Sequence, residues 1–399
     1  MRKLGQTLST LARYRRHWST LLQTTKANGR AAGPSGAAQH LTALTGFGSN
    51  PGALRMFTCV PKTLAPAPGL VVVLHGCTQS AAAYDVGAGW STLAERHGFV
   101  LLFPEQTEAN NPKTCFNWFL PGDTTRDRGE ALSIRQMIEK TIGAHGIDRG
   151  RVFITGLSAG GAMAAAMLSV YPEVFAAGAI IAGLPYGSAA NVQQAFESMF
   201  QGRSHSAQDW GDKVRRASTH RGPWPRVSVW HGDLDATVKP MNAEAIVQQW
   251  TDVHGIVSAP ASDIVDGYRR QVWRKDGMDV IESYTITGMA HGTPLATPQH
   301  GGVAGPFLLD VGISSSYHIT RFFGLTGAAR ATASARTQAA VRTWLVPDEV
   351  EMIPNDRVEI LGAKADEPKF HDAPRTQPVD VMAIITKALT SAGLMKPPA

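Results

Sequence analysis

Residues 151–171 read RVFITGLSAGGAMAAAMLSVY. Val152–Thr155 is a short apolar and β-branched run, which suits a strand covered on both faces. From Ala159 to Tyr171 the composition changes to Ala, Met and Leu, which suits a helix. Only Gly156-Leu157-Ser158-Ala159-Gly160 is left to turn the chain from one to the other, and its glycines stand where backbone must crowd backbone. The same alternation extends outward. Leu70–Leu74 (LVVVL), Phe99–Phe103 (FVLLF), Ala179–Ala182 (AIIA) and Val227–Trp230 (VSVW) predict further strands. Trp90–His97, Gly129–His145 and Asn242–His254 carry helical patterns, with Asp127 or Gly129 near the start of the second. Gln271–Lys275 and Val280–Ile286 flank Asp276-Gly277, a hairpin signal. The chain therefore predicts an α/β fold, a mostly parallel doubly wound sheet with helices on both faces. In such sheets functional residues gather at the carboxyl ends of the strands.

The turn at Ser158 has a chemical reading. G-x-S-x-G between a strand and a helix lifts a serine into the open, and the helix behind it aims N–H groups at a reacting oxygen. Serine needs a base to take its proton as it attacks. In the α/β-hydrolase fold the acid and then the histidine follow the serine in the chain. After VSVW comes His231-Gly232-Asp233-Leu234-Asp235, with two carboxylates in competition. Asp235 is taken as the acid, because a turn must clear the strand before a side chain points back; Asp233 reads as a turn residue bonding its own backbone. Met289-Ala290-His291-Gly292 follows VIESYTITG and makes His291 the base. An oxyanion hole would take one N–H from Ala159 and the other from His75-Gly76-Cys77-Thr78-Gln79, at Cys77. His75 reads as a buttress of that loop. Trp118 and Phe119 follow a Pro/Asn-rich loop, and both rim and core positions suit them; Trp230 reads as core.

Composition narrows the alternatives. The first 40 residues carry seven Lys/Arg and no acid, so the chain's net charge of +6 leaves −1 for the rest. A nearly neutral body gives no electrostatic case for nucleic acid. There is no Walker A pattern, no HExxH and no metal-ligand cysteine spacing, so no cofactor or metal is expected. No long uncharged apolar run predicts a transmembrane helix. Residues 3–25 read as a basic amphipathic helix suited to a membrane or granule surface or to packing on its own domain, with a linker after it. The expected organisation is an arm over 1–40, a catalytic domain over 41–325 and a C-terminal extension over 326–399, with a short helix through Val381–Ala392.

Five blocks, HGCTQ (75–79), CFNWF (115–119), GLSAGGAMA (156–164), WHGDLDATV (230–238) and GMAHGTPL (288–295), occur in order. Together they resemble the polyhydroxybutyrate depolymerase-like esterases, a family that includes enzymes similar to feruloyl and acetylxylan esterases. The resemblance runs from about Gly48 to Leu295. It implies a Ser158/Asp235/His291 triad, an oxyanion hole from Cys77 and Ala159, a Cys77–Cys115 disulfide and a substrate surface involving Trp118. It also implies an extracellular location; residues 1–30 show no clear secretory signal, and a cytoplasmic location is the alternative. The expected activity is serine ester hydrolysis through an acyl-enzyme, on short-chain polyhydroxyalkanoate polymer or oligomers or related acyl esters. The alternatives are a feruloyl- or acetylxylan-type esterase or an acyltransferase on the same fold, and a granule- or membrane-binding module.

Overall fold

A computed structural model describes residues 41–326. The arm and linker over 1–40 and the C-terminal helix through 381–392 lie outside those residues. The strands are β1 (Thr42–Leu44), β2 (Arg55–Cys59), β3 (Leu70–Leu74), β4 (Val100–Glu105), β5 (Val152–Leu157), β6 (Ala177–Ile181), β7 (Arg226–Gly232), β8 (Ala261–Val265), β9 (Tyr268–Lys275), β10 (Met278–Ile286), β11 (Thr293–Leu295) and β12 (Leu308–Asp310). The first ten form one sheet in the order β1-β2-β4-β3-β5-β6-β7-β10-β9-β8. Its six central members, β4 to β10, run parallel. The outer strands β1, β2, β9 and β8 pair antiparallel. This is the α/β-hydrolase type of sheet.

The continuous apolar runs serve two cores at once, because successive side chains of a strand point to opposite faces. Leu70, Val72 and Leu74 join one buried cluster and Val71 and Val73 the other. The first face is covered by the helices Gly129–His145, Ala159–Val170 and Met241–His254, the second by Ala81–Ala88, Trp90–His97 and Ser315–Phe322. Trp230 is core, as read: it stacks on Tyr284 of the neighbouring strand at 3.7 Å and donates its Nε1–H to Ser228 Oγ at 2.8 Å. Full burial of a side chain of this kind contributes about 1.5–3 kcal/mol, so these strands hold the sheet centre firmly. The Asp276-Gly277 hairpin forms with both residues at positive φ, 51° and 75°.

Strand β8 and the helices Ala81–Ala88, Val192–Gln201 and Ala207–Ala217 had no clear signal in the sequence. The last buries only Trp210, Gly211 and Val214 on an otherwise polar helix, too narrow a stripe to stand out. β8 is an exposed edge strand for most of its length.

The sheet order changes direction between β3 and β5, so the loops leaving those two strands diverge and open a crevice. Close backbone packing fixes its floor. A Cβ at Gly160 would lie 2.4 Å from Leu74 O, and no side-chain rearrangement relieves contact with a backbone carbonyl. Gly160→Ala is expected to destabilise the protein by about 1–3 kcal/mol through overpacking, read by denaturant unfolding; wild-type stability in the variant would refute the close approach.

Candidate active site

Ser158 sits at φ 57°, ψ −115°, between the end of β5 and the helix Ala159–Val170. A non-glycine residue at positive φ is strained, and the surroundings hold it there. Its N–H donates to Ile181 O at 2.9 Å and its carbonyl accepts from Ala162 N at 2.9 Å. Gly156 admits the returning chain: a Cβ there would lie 2.4 Å from the Gly160 carbonyl. The strain thus sets the serine side chain clear of both strand and helix.

The residues singled out in sequence as acid and base reach this serine. Ser158 Oγ lies 2.9 Å from His291 Nε2, and His291 Nδ1 lies 2.7 Å from Asp235 Oδ2. A carboxylate can only accept, so Nδ1 carries the proton and Nε2 is left to accept from the serine hydroxyl. Asp235 is 2% exposed. Its Oδ1 accepts from the amides of Thr237 and Val238, both at 2.8 Å. Burial works to raise its pKa, but the hydrogen bonds of His231 and His291 outweigh it and hold the carboxyl below the usual range.

Asp233 plays a different part from its rival: it lies in the turn after β7, as read, but its side chain does not bond its own segment. Its carboxylate accepts from Gly288 N at 2.7 Å, in the loop that bears His291, rather than from its own segment. Leu234 N donates to Met289 O at 3.1 Å in the same place. The acid loop and the base loop are therefore stitched together.

The loop after β3 carries Cys77, whose sulfur is bonded to that of Cys115. Thr78 takes φ 65° and donates its N–H to Lys113 O at 2.7 Å, while Gln79 Oε1 accepts from Gly76 N at 2.8 Å. The Cys77 N–H has no hydrogen-bond partner among the described residues. Ala159 N is the first amide of its helix and has no carbonyl of that helix to serve. His75 is buried and bridges the loop bases: Nε2 accepts from Gln106 N at 3.2 Å and Nδ1 donates to Gly76 O at 2.8 Å. Burial holds its pKa below the usual histidine range, in keeping with a neutral ring. Cys59, the remaining cysteine, is buried and unbonded to the others, and burial pushes its thiol up to about 12.

Trp118 is half-buried, edge-on to Phe119 at 5.5 Å, and packs against Ala162, Leu184 and Val238. It lines a cleft of about 590 Å³ to which Ser158 does not contribute.

Residues 58–273 match the model of the Esterase PHB depolymerase family. The chain belongs to that family. It is 47% identical over 294 residues to poly(3-hydroxyalkanoate) depolymerase C of Paucimonas lemoignei, covering 72% of this chain and 70% of that protein. It is 34% identical over 269 residues to an acetylxylan esterase of Coprinopsis cinerea, covering 65% and 71%. Among solved structures, an acetyl xylan esterase from Aspergillus awamori superposes with a TM-score of 0.61 at 26% identity, over 71% of this chain and 99% of that one. The chain is accordingly a carboxylic-ester hydrolase.

Two parts of this esterase's site escaped the sequence reading. His231 sends its Nε2–H to Val238 O at 2.8 Å and lies 3.3 Å from Asp235 Oδ2, so a second imidazole faces the acid. The only signal was its spacing of four residues from Asp235. The other part is Glu130, 0% exposed, which accepts from Asn117 N (2.9 Å), Asn117 Nδ2 (2.8 Å) and Gln106 Nε2 (2.5 Å). It ties the CFNWF block to the end of β4. An acid in the first turn of a helix pattern looks like a response to the helix dipole, which hid its inward role. In that first turn Glu130 N donates to Asp123 Oδ1 at 3.2 Å. Asp127, at φ 62°, instead pairs with Tyr171.

Burial and the nearby Asp123 push Glu130 up to about 8 from 4.5, against the three donors. A folded-state pKa raised in this way means the native state holds a proton that the unfolded chain has lost. Its contribution is fully present below 4.5 and is lost as pH rises through 8. Glu130→Gln is expected to remove that slope, and to cost about 1–3 kcal/mol at low pH because its amide faces donors. Unfolding free energies across the window check this; parallel slopes in wild type and variant would refute it.

Proposed function

We propose that the chain hydrolyses esters of short-chain 3-hydroxyalkanoates, polymer or oligomer, through an acyl-enzyme on Ser158. The observation that carries this reading is the hydrogen-bonded line from Ser158 Oγ through His291 to Asp235, at 2.9 and 2.7 Å. In this reading His291 Nε2 takes the hydroxyl proton as Ser158 Oγ attacks the carbonyl carbon. The oxyanion rests on the amides of Cys77 and Ala159. His291 then gives its proton to the leaving alcohol, while Asp235 holds the tautomer and stabilises the imidazolium. Water repeats the sequence on the acyl-enzyme and frees the acid. Identity to the Paucimonas lemoignei depolymerase supports the polyester substrate; likeness to acetylxylan esterases keeps acetyl esters in the assay.

Hydrolysis of p-nitrophenyl butyrate, 3-hydroxybutyrate oligomers, amorphous polyhydroxybutyrate and methyl ferulate tests the substrate class. The hydroxybutyrate substrates are expected to be turned over best, and preference for methyl ferulate would reassign the enzyme within its family. Ser158→Ala should lower kcat on the order of a millionfold. Asp235→Asn should lower it about 10⁴-fold; loss of turnover in Asp233→Asn with Asp235→Asn still active would exchange the two acids. Predominant acyl transfer to an added alcohol would replace hydrolysis with an acyltransferase reading.

The basic arm supports a second element of the proposal, contact with a polymer granule or an anionic membrane surface. Deleting residues 1–30 is expected to reduce co-sedimentation with polyhydroxybutyrate granules or anionic vesicles, and equal partitioning of both forms would end the idea.

A further inference from the structure

Lys213, on the helix Ala207–Ala217, ends at the cleft that Trp118 lines. Its ammonium makes one hydrogen bond, to Gly187 O at 3.2 Å, and stands 5.5 Å from the Trp210 ring centroid. An ammonium has three donors, so two are left for something else. The neighbouring acids are occupied: Asp212 pairs with Arg215 and Arg216, Asp252 pairs with Arg215, and Asp209 accepts from Ser206. Burial, with Arg203 and Arg216 nearby, holds the Lys213 pKa below the usual lysine range against the pull of Asp209. Arg203 and Arg216 are themselves paired, with Glu197 and Asp212, and the half-buried ammonium with its spare donors suits an incoming anion.

The rest of the cleft selects among anions. Trp118, Tyr186 and Pro121 supply carbon to its lining, which also carries the polar Thr124, His205 and Asp209. The aromatic and proline carbon among them suits a short aliphatic chain. Trp118 joins this cleft to the elements that carry the triad. Trp118 packs against Ala162 and Val238, and these two donate their amides to Ser158 O and Asp235 Oδ1.

We propose that this cleft is a subsite for the free-carboxylate end of a hydroxyacyl oligoester, with Lys213 binding the carboxylate and Trp118 and Tyr186 flanking the aliphatic segment. The assignment rests on the ester-hydrolase reading of Ser158. In an oligo(3-hydroxyalkanoate) the carboxylate terminates the alcohol side of the last ester. Seating it in the cleft puts the leaving alcohol there and the acyl group on Ser158. Attack breaks the acyl–oxygen bond, His291 protonates the departing alkoxide, and a hydroxyacid leaves through the cleft.

The test compares kcat/KM for the 3-hydroxybutyrate trimer as free acid and as its terminal N-methylamide, in wild type, Lys213→Gln and Lys213→Arg. The acid-to-amide ratio is expected to fall about tenfold in Lys213→Gln, through KM, and to recover in Lys213→Arg, the loss of one charge-assisted contact. An unchanged ratio overturns the subsite. Calorimetric titration of the 3-hydroxybutyrate dimer into Ser158→Ala, with and without Lys213→Gln, reads binding without turnover. About tenfold weaker binding in the double variant supports the subsite; equal binding, or glucuronate bound as tightly as the dimer, overturns it. Failure of wild type to cleave p-nitrophenyl butyrate would instead strike the hydrolase reading, while the titration still decides the subsite.

Discussion

Gly156 and Gly160 meet with no room for a single carbon atom between strand and helix, and the active-site architecture is built around that contact. The crowding forces Ser158 into a backbone region that a side chain otherwise avoids. It also brings the first turn of the helix against the carbonyls of Leu74 and His75, at the end of the neighbouring strand. The first amides of the helix are thereby held close to the loop that leaves β3. The strain is local, and the buried strands on either side are what make it tolerable.

Electrostatics completes what sterics begins. A carboxylate as buried as Asp235 would be costly alone. Two backbone amides and two imidazoles surround it, so the charge is retained where His291 can use it. The loops that carry acid and base are joined by Asp233 and by backbone bonds to Met289. Their spacing therefore does not depend on the Asp235–His291 bond alone.

The other wall is held from below. Cys115 is bonded to Cys77, and two residues on Asn117 is anchored to Glu130. Trp118 stands next to that anchor, between the serine helix and the cleft of Lys213. A covalent tie and a buried carboxyl thus position one short block that is bonded to the loop after β3 on one side and lines the cleft on the other.

The sequence by itself determined the sheet and the order of its chemistry. Parallel strands buried on both faces leave continuous apolar runs, and the strand–G-x-S-x-G–helix junction has few other uses, so Val152–Tyr171 was legible. The acid and the base follow strands in chain order, which made Asp235 and His291 legible as candidates without any knowledge of distance. Glu130, His231 and Lys213 were not legible. Glu130 takes its partners from other segments, His231 matters through the buried acid that it faces, and Lys213 through the cleft that it lines. None of these leaves a distinctive local pattern. The turn at Asp233 was legible but the partner of its carboxylate was not, since Gly288 lies in another loop. Only the tertiary structure decided these roles, because a buried charge is defined by what surrounds it, and those surroundings come from segments that meet only when the sheet has formed.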